Sequence, residues 1–245
     1  MKILIGSEKG GAGKTTIAIN VATALALSGR DVLLVDTDEQ MSARKWSERR
    51  ERLAPERVQI PCVERRGNVI SAIQDLEKRY VDLVVDAGGR NSKELRSALA
   101  AVDLVMIPLR PSQLDLDTVE TMYEMLDAAR VFNPELEARF LFTQVPTHRL
   151  VTEGSDAREA LSDVTGIELA SSRVFERKIY RDAAAEGLSV VEKTGRGRAE
   201  IDVLVQEIRD TLGVDDGGDN IHHTHTTHTT HTPTTYTRYT SKRMR

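Results

Sequence analysis

One short stretch near the start constrains this chain more than any other. An apolar segment, Lys2 to Gly6, leads through Ser7-Glu8 into Lys9-Gly10-Gly11-Ala12-Gly13-Lys14-Thr15-Thr16, and a helix-forming run, Thr15 to Ser28, follows at once and is closed by Gly29. Glycines packed this closely weaken any regular element, so the stretch must be a loop that ties a buried strand to a helix. Gly10, Gly11 and Gly13 let backbone N–H groups turn inward with no Cβ in the way, and the helix beginning near Lys14 adds the positive end of its dipole. Such a cradle suits phosphate oxygens. Lys14 would reach the β- and γ-phosphates of a nucleotide, and the Thr15 hydroxyl would ligate Mg²⁺. The ordinary pattern asks for another glycine five residues before Gly13, where this chain has Glu8.

The rest of the chain alternates in the same way. Strand-like runs at Asp31–Asp36, Arg57–Glu64, Val81–Asp86, Asp103–Pro108 and Arg139–Gln144 are interleaved with helical patterns at Met41–Arg52, Asn68–Tyr80, Ser92–Ala101, Asp117–Phe132 and Thr152–Thr165. A last helix is read over Ala199–Leu212. Aromatic residues make up only 4% of the chain, so the core has to be built from Val, Ile, Leu and Ala. Near-continuous apolar strands separated by helices predict an α/β fold, a doubly wound, mostly parallel sheet with helices on both faces. In such a sheet, ligands bind outside the carboxyl ends of the strands.

Two further acidic groups fall at strand ends. Asp86 closes an apolar run, where a carboxylate can hold the Mg²⁺ shell of a P-loop enzyme. Asp36 and Asp38 close another; two residues apart in an extended segment, they face the same way, and one could orient the attacking water. A helix cap or a loop aspartate is the plainer alternative for each.

Lys9 to Thr16 resembles the deviant Walker A motif of the ParA/MinD ATPases, whose extra lysine sits where Lys9 does. Asp36-Thr37-Asp38-Glu39-Gln40 resembles that family's Asp-x-Asp-Pro-Gln segment, with Glu39 in place of proline. Met41 to Trp46 and Ile107 to Asp115 look like stretches of its small plasmid-partition branch of the ParA/ParF type. The likeness runs from Met1 to about Leu212. It implies a slow, Mg²⁺-dependent ATP hydrolase with ATP and Mg²⁺ as cofactors. Gly10, Gly11, Ala12, Gly13, Lys14, Thr15 and Thr16 would hold the nucleotide, with Thr16 on the α-phosphate. Lys9 would act across an ATP-sandwich homodimer, Asp38 would position water, and Thr15, Asp36 and Asp86 would lie at the metal. Ala87-Gly88-Gly89-Arg90 is only a loose match to what usually follows the last of these.

The expected domain spans residues 1–213. The segment 214–245, rich in His and Thr and almost devoid of apolar side chains, is expected to be a disordered low-complexity tail. Cys62 alone cannot form an internal disulfide, a tetrahedral zinc site or a cysteine-ligated cluster, which excludes a nitrogenase-type reductase. No leader-like or membrane-spanning run is present in the sequence, so a cytoplasmic location is expected. The last helix carries Glu200, Asp202, Glu207 and Asp210 against Arg209, the wrong sign for the membrane anchor of a MinD-like protein. Arg173, Arg177, Lys178, Arg181, Lys193, Arg196 and Arg198 form a basic run within a chain of net charge −4. It reads either as a phosphate-binding patch for nonspecific DNA or as a solvated, salt-bridged surface. The expected function is therefore a ParA-type DNA-partition ATPase, an ATP-dependent dimer that works with a centromere-binding adaptor. The alternative is an ATP-dependent positioning or recruitment switch for a protein complex, of the conjugation or chemoreceptor type, that binds no DNA.

Overall fold

Seven strands lie side by side in the order β3-β2-β4-β1-β5-β6-β7, every neighbouring pair parallel. The computed structural model describes residues 1–89, 92–111, 116–147, 161 and 167–214. The strands are β1 (Lys2–Ile5), β2 (Val32–Asp36), β3 (Cys62–Glu64), β4 (Asp82–Asp86), β5 (Leu104–Leu109), β6 (Glu137–Val145) and β7 (Leu169–Phe175). The helices are α1 (Lys14–Leu27), α2 (Ser42–Leu53), α3 (Ile70–Leu76), α4 (Lys93–Leu99), α5 (Leu116–Arg130), α6 (Lys178–Ala185) and α7 (Arg196–Thr211), with a 3₁₀ turn at Val190–Glu192. The sheet expected to be mostly parallel is parallel throughout among the described residues.

Alternation along each strand divides the core into two layers. Leu4, Leu33, Val85 and Phe140 face Ile73, Leu95 and Leu126 of α3, α4 and α5. Ile3, Ile5, Leu34, Val84 and Leu141 face Ile17, Val21 and Leu25 of α1, Trp46 of α2 and Ile201 and Leu204 of α7. The central strands are buried on both sides, which is why they read as unbroken apolar runs. Asp82 opens β4 as a buried charge but is compensated: Arg30 forms an ion pair with it, and the terminal ammonium of Met1 donates to it at 3.0 Å. From β1 the chain first winds toward β2 and β3, then returns through β4 and crosses to β5, β6 and β7. The change of direction puts a crevice at the carboxyl end of β1, where the glycine loop begins.

Several expectations need correction. The run Arg57–Glu64 yields only three strand residues, because Pro61 has no N–H for the ladder; its carbonyl still accepts from Leu34 N at 3.0 Å. The helix read at Asn68–Tyr80 is confined to Ile70–Leu76, and the last helix begins at Arg196 instead of Ala199. Strand β7 and helix α6 were not anticipated. Apart from Leu161, the helix read at Thr152–Thr165 lies outside the described residues, as does the tail from residue 215. Among the described residues no helix is long and apolar enough to cross a membrane.

Candidate nucleotide-binding site

Strand β1 ends when Gly6 N donates to Met106 O, and the chain then turns through the glycine loop above β5. Gly11 and Gly13 take left-handed conformations, φ 77° and 86°, that favour glycine. Gly13 caps α1 with no side chain, and no acidic residue stands in the first turn. The helix's first amides are thereby left for an anionic ligand. Lys14, only 7% exposed, turns back to donate from Nζ to Lys9 O at 2.9 Å. Burial lowers its pKa, opposed by the charges of Asp86 and Asp38.

Asp86 lies at the end of β4, level with Ile5 of β1 and Asp36 of β2. It is fully buried, and among the described residues neither carboxylate oxygen has a geometrically complete hydrogen bond. Burial pushes its pKa up to about 8, the Thr15 hydroxyl offsets part of that, and the nearby Asp36 and Asp38 charges add to it. Burial disfavours the charged form of this carboxylate, and a cation beside it would stabilise that form. Among the described residues no group of three or more His, Cys, Asp or Glu could hold a metal alone. A cation here would need oxygens from a bound phosphate as well, which suits Mg²⁺.

Asp36 and Asp38 separate in role. Asp36 is fully buried, and its two oxygens accept from Asp38 N at 3.0 Å and Arg44 N at 2.9 Å. It braces the loop after β2 and the first turn of α2, the work of a cap. Burial raises its pKa, while those two amides pull it down. Asp38 instead lines the cleft, with one oxygen accepting from Gln40 N at 2.9 Å. Opposite it, Gly88 and Gly89 allow close approach: a Cβ on Gly88 would lie 3.4 Å from the Asp38 carboxyl carbon, and one on Gly89 3.3 Å from Lys14 Nζ.

The cleft, about 640 Å³, joins the glycine loop to a wall formed by Phe175, Arg177 and Tyr180, with Thr143, Gln144 and Arg110 along its floor. A volume of this size accommodates a nucleotide. Sequence reasoning missed both the wall and the floor. Their signal was faint: Thr143 and Gln144 close a strand at the same end as Asp86, and Arg110 follows β5. The basic run is largely neutralised. Arg177 pairs with Glu200 at 2.6 Å, Lys193 with Glu186 at 2.6 Å, Arg198 with Asp202 at 3.4 Å and Lys178 with Asp182 at 3.5 Å. The acids of α7 are likewise turned inward in part: Glu207 accepts from Ser171 N and Ser172 N, and Glu200 from Phe175 N.

Comparison with known proteins agrees with this geometry. The family model described as the CobQ/CobB/MinD/ParA nucleotide binding domain matches residues 3–190. The chain is 29% identical over 214 residues to the maintenance of carboxysome distribution protein A of Halothiobacillus neapolitanus, covering 86% of this chain and 95% of that one. It is 26% identical over 179 residues to a protein ParA of Rhizobium radiobacter, covering 73% and 79%. An ATP complex of a Cyanothece McdA variant superposes with a TM-score of 0.67 at 14% identity, over 87% of this chain and 96% of that one, which shows the shared fold. A strand–glycine-loop–helix unit at the centre of a seven-stranded parallel sheet, matched over most of its length by one family model, means that this chain belongs to the CobQ/CobB/MinD/ParA nucleotide-binding domain family.

Proposed function

We propose that this chain is a ParA-type, Mg²⁺-dependent ATPase that acts as an ATP-bound dimer to distribute a cargo, with DNA as the surface it moves on. The observation that carries the catalytic part is the fully buried carboxylate of Asp86, set with the Thr15 hydroxyl and the Lys14 charge near it at the uncapped start of α1. Thr15 and Asp86 would hold the Mg²⁺ shell, and the ion would supply positive charge to the terminal phosphates. Lys14 would leave the Lys9 carbonyl for a phosphate oxygen. Gly10 to Gly13 would donate their amides, and Thr16 would touch the α-phosphate. Asp38, exposed to the cleft and anchored through Gln40, would orient the attacking water. Asp36 would support it from below through the Asp38 amide. Lys9 would serve the partner's nucleotide across the dimer, and a separate adaptor would choose the cargo.

Phosphate release from ATP and Mg²⁺, with and without random duplex DNA, tests the proposal. Turnover that depends on Mg²⁺ and rises with DNA is the expected result, and absence of turnover in both conditions rejects it.

A second reading, a positioning switch that recruits a protein complex without DNA, draws support from one observation. Four of the seven basic residues that could meet phosphates are already paired with carboxylates. The resemblance to a protein named for carboxysome distribution supports the positioning of a cargo, which both readings share. ATP-dependent gel shift of random duplex at low salt separates the two readings.

A further inference from the structure

Two carbonyl oxygens of the glycine loop are gripped from outside the loop. Gly11 O accepts from Arg110 at 2.6 Å and from the Gln144 side-chain amide at 2.8 Å. Ala12 O accepts from the hydroxyl of Thr143, which is 1% exposed, at 2.7 Å. Thr143 and Gln144 lie in β6 and Arg110 directly follows β5, so none of the three donors belongs to the loop itself.

The consequence follows from peptide geometry. No cis peptide bond occurs among the described residues, so each C=O points opposite to the N–H of the next residue. Holding Gly11 O toward Arg110 and Gln144 turns the Ala12 N–H to the opposite side of its peptide plane, and holding Ala12 O toward Thr143 does the same for the Gly13 N–H. Those are two of the amides that a phosphate cradle needs. Gln144 adopts φ 51°, a left-handed conformation that a residue with a side chain rarely takes. Backbone strain of this kind persists only where the surroundings enforce it, and it clusters at functional sites. Here it aims the side-chain amide at Gly11. The space between is small, since a Cβ on Gly13 would come within 3.3 Å of the Gln144 amide nitrogen.

We propose that Thr143, Gln144 and Arg110 are positioning residues that preset the Ala12 and Gly13 amides for the β-phosphate of a nucleoside di- or triphosphate. The proposal rests on the nucleotide reading above and assigns it residues outside the glycine loop. Their role is to remove from binding the cost of ordering a glycine-rich segment, so affinity should fall without them while the fold holds.

The test is titration of the full chain with a fluorescent ADP in the presence of Mg²⁺, beside thermal unfolding. Thr143→Val keeps shape and loses the hydroxyl; Thr143→Ser keeps the hydroxyl. Gln144→Gly relieves the left-handed strain and removes the donor, and Gln144→Asn tolerates that backbone but is one methylene too short to reach. Thr143→Val, Gln144→Gly and Gln144→Asn should each weaken ADP binding by roughly tenfold, and Thr143→Ser should restore it. Gln144→Gly should melt no lower than the parent, so its weaker binding cannot be ascribed to misfolding. Parent-like affinity, within about twofold, in Thr143→Val and Gln144→Gly overturns the positioning roles alone. A melting temperature that falls in step with affinity in every variant, Gln144→Gly included, also overturns them in favour of a merely structural role. A parent chain that binds no ADP at all overturns the nucleotide reading, and the positioning roles with it.

Discussion

The ammonium of Lys14 donates to the carbonyl oxygen of Lys9, five residues earlier, at 2.9 Å. A phosphate entering the loop competes with that carbonyl for the same proton donor, and only the phosphate offers full negative charge in return.

Lys14→Ala should therefore leave the fold intact and remove the charge that meets the terminal phosphates. Turnover should drop by about 10²–10³-fold or more, with much weaker ATP binding. Phosphate release measured beside nucleotide titration checks this, and retained turnover would refute the loop's assignment.

Asp38→Ala should behave differently, since it keeps every group that meets the phosphates. The variant should bind ATP, hydrolyse it far more slowly, and persist as a dimer once ATP is added. Light scattering over time after ATP addition is the measurement; parent-like decay of the dimer would move the water-orienting role elsewhere. Lys9→Ala is the complementary case: it should bind ATP as a monomer and neither dimerise nor turn over.

Helix α2 is tied to the turn before α7 by a buried ion pair. Arg50 is fully buried, donates to both Glu192 oxygens at 2.7 and 2.9 Å, to Gly187 O and to Val58 O, and packs 5.5 Å from the Trp46 ring. Arg50→Ala strands the Glu192 charge and should cost about 3–5 kcal/mol of stability in urea unfolding. Burial alone would raise the Glu192 pKa, but Arg50 and the Ser189 amide overcome it and hold the group below its ordinary 4.5. A depressed carboxylate stabilises the fold above its unfolded value and loses that contribution on protonation. Stability of the parent should fall as pH drops below about 4.5, and the slope should flatten in Glu192→Gln.

For DNA, the members of the basic run that are paired with carboxylates among the described residues and those that are not make different forecasts. Arg173 and Arg196 line an open groove between β7 and α7, whereas Lys178 and Lys193 are held by Asp182 and Glu186. Each DNA phosphate that a variant no longer neutralises should reduce the log–log salt slope of binding by roughly 0.9. Neutralising Arg173 and Arg196 should weaken binding to all sequences alike, and neutralising Lys178 and Lys193 should do less. Equal effects from both pairs would show that the salt bridges open on binding.

The glycine loop, the flanking strands and the acidic strand ends were legible because each carries a local physical requirement. A positive φ calls for Gly11 or Gly13, and burial on two faces calls for runs such as Val32–Asp36. Strand β7 escaped because Ser171 and Arg173 interrupt its apolar positions at the edge of the sheet, where only part of the strand is covered. Asp36 and Asp38 share one spacing rule, yet the turn into α2 captures the first with two amides and leaves the second in the cleft. Thr143, Gln144 and Arg110 lie about 100 or more residues beyond the loop they grip, and no periodicity in the sequence connects such positions.

The chain's one cysteine sits in the shortest strand, at the border of the sheet, 3% exposed and with its thiol pushed up to about 12. Its carbonyl oxygen accepts from Arg44 at 2.7 Å, and the Arg44 amide is held by Asp36. Because the thiolate is the reactive form, a chromogenic disulfide reagent should ignore Cys62 until that border strand peels away. The rate of its modification is then a built-in gauge of how often the sheet's margin breathes, readable in the native protein with no substitution introduced. Ligand that tightens the segment from Asp36 to Arg44 would slow that gauge, and ligand that loosens it would speed it.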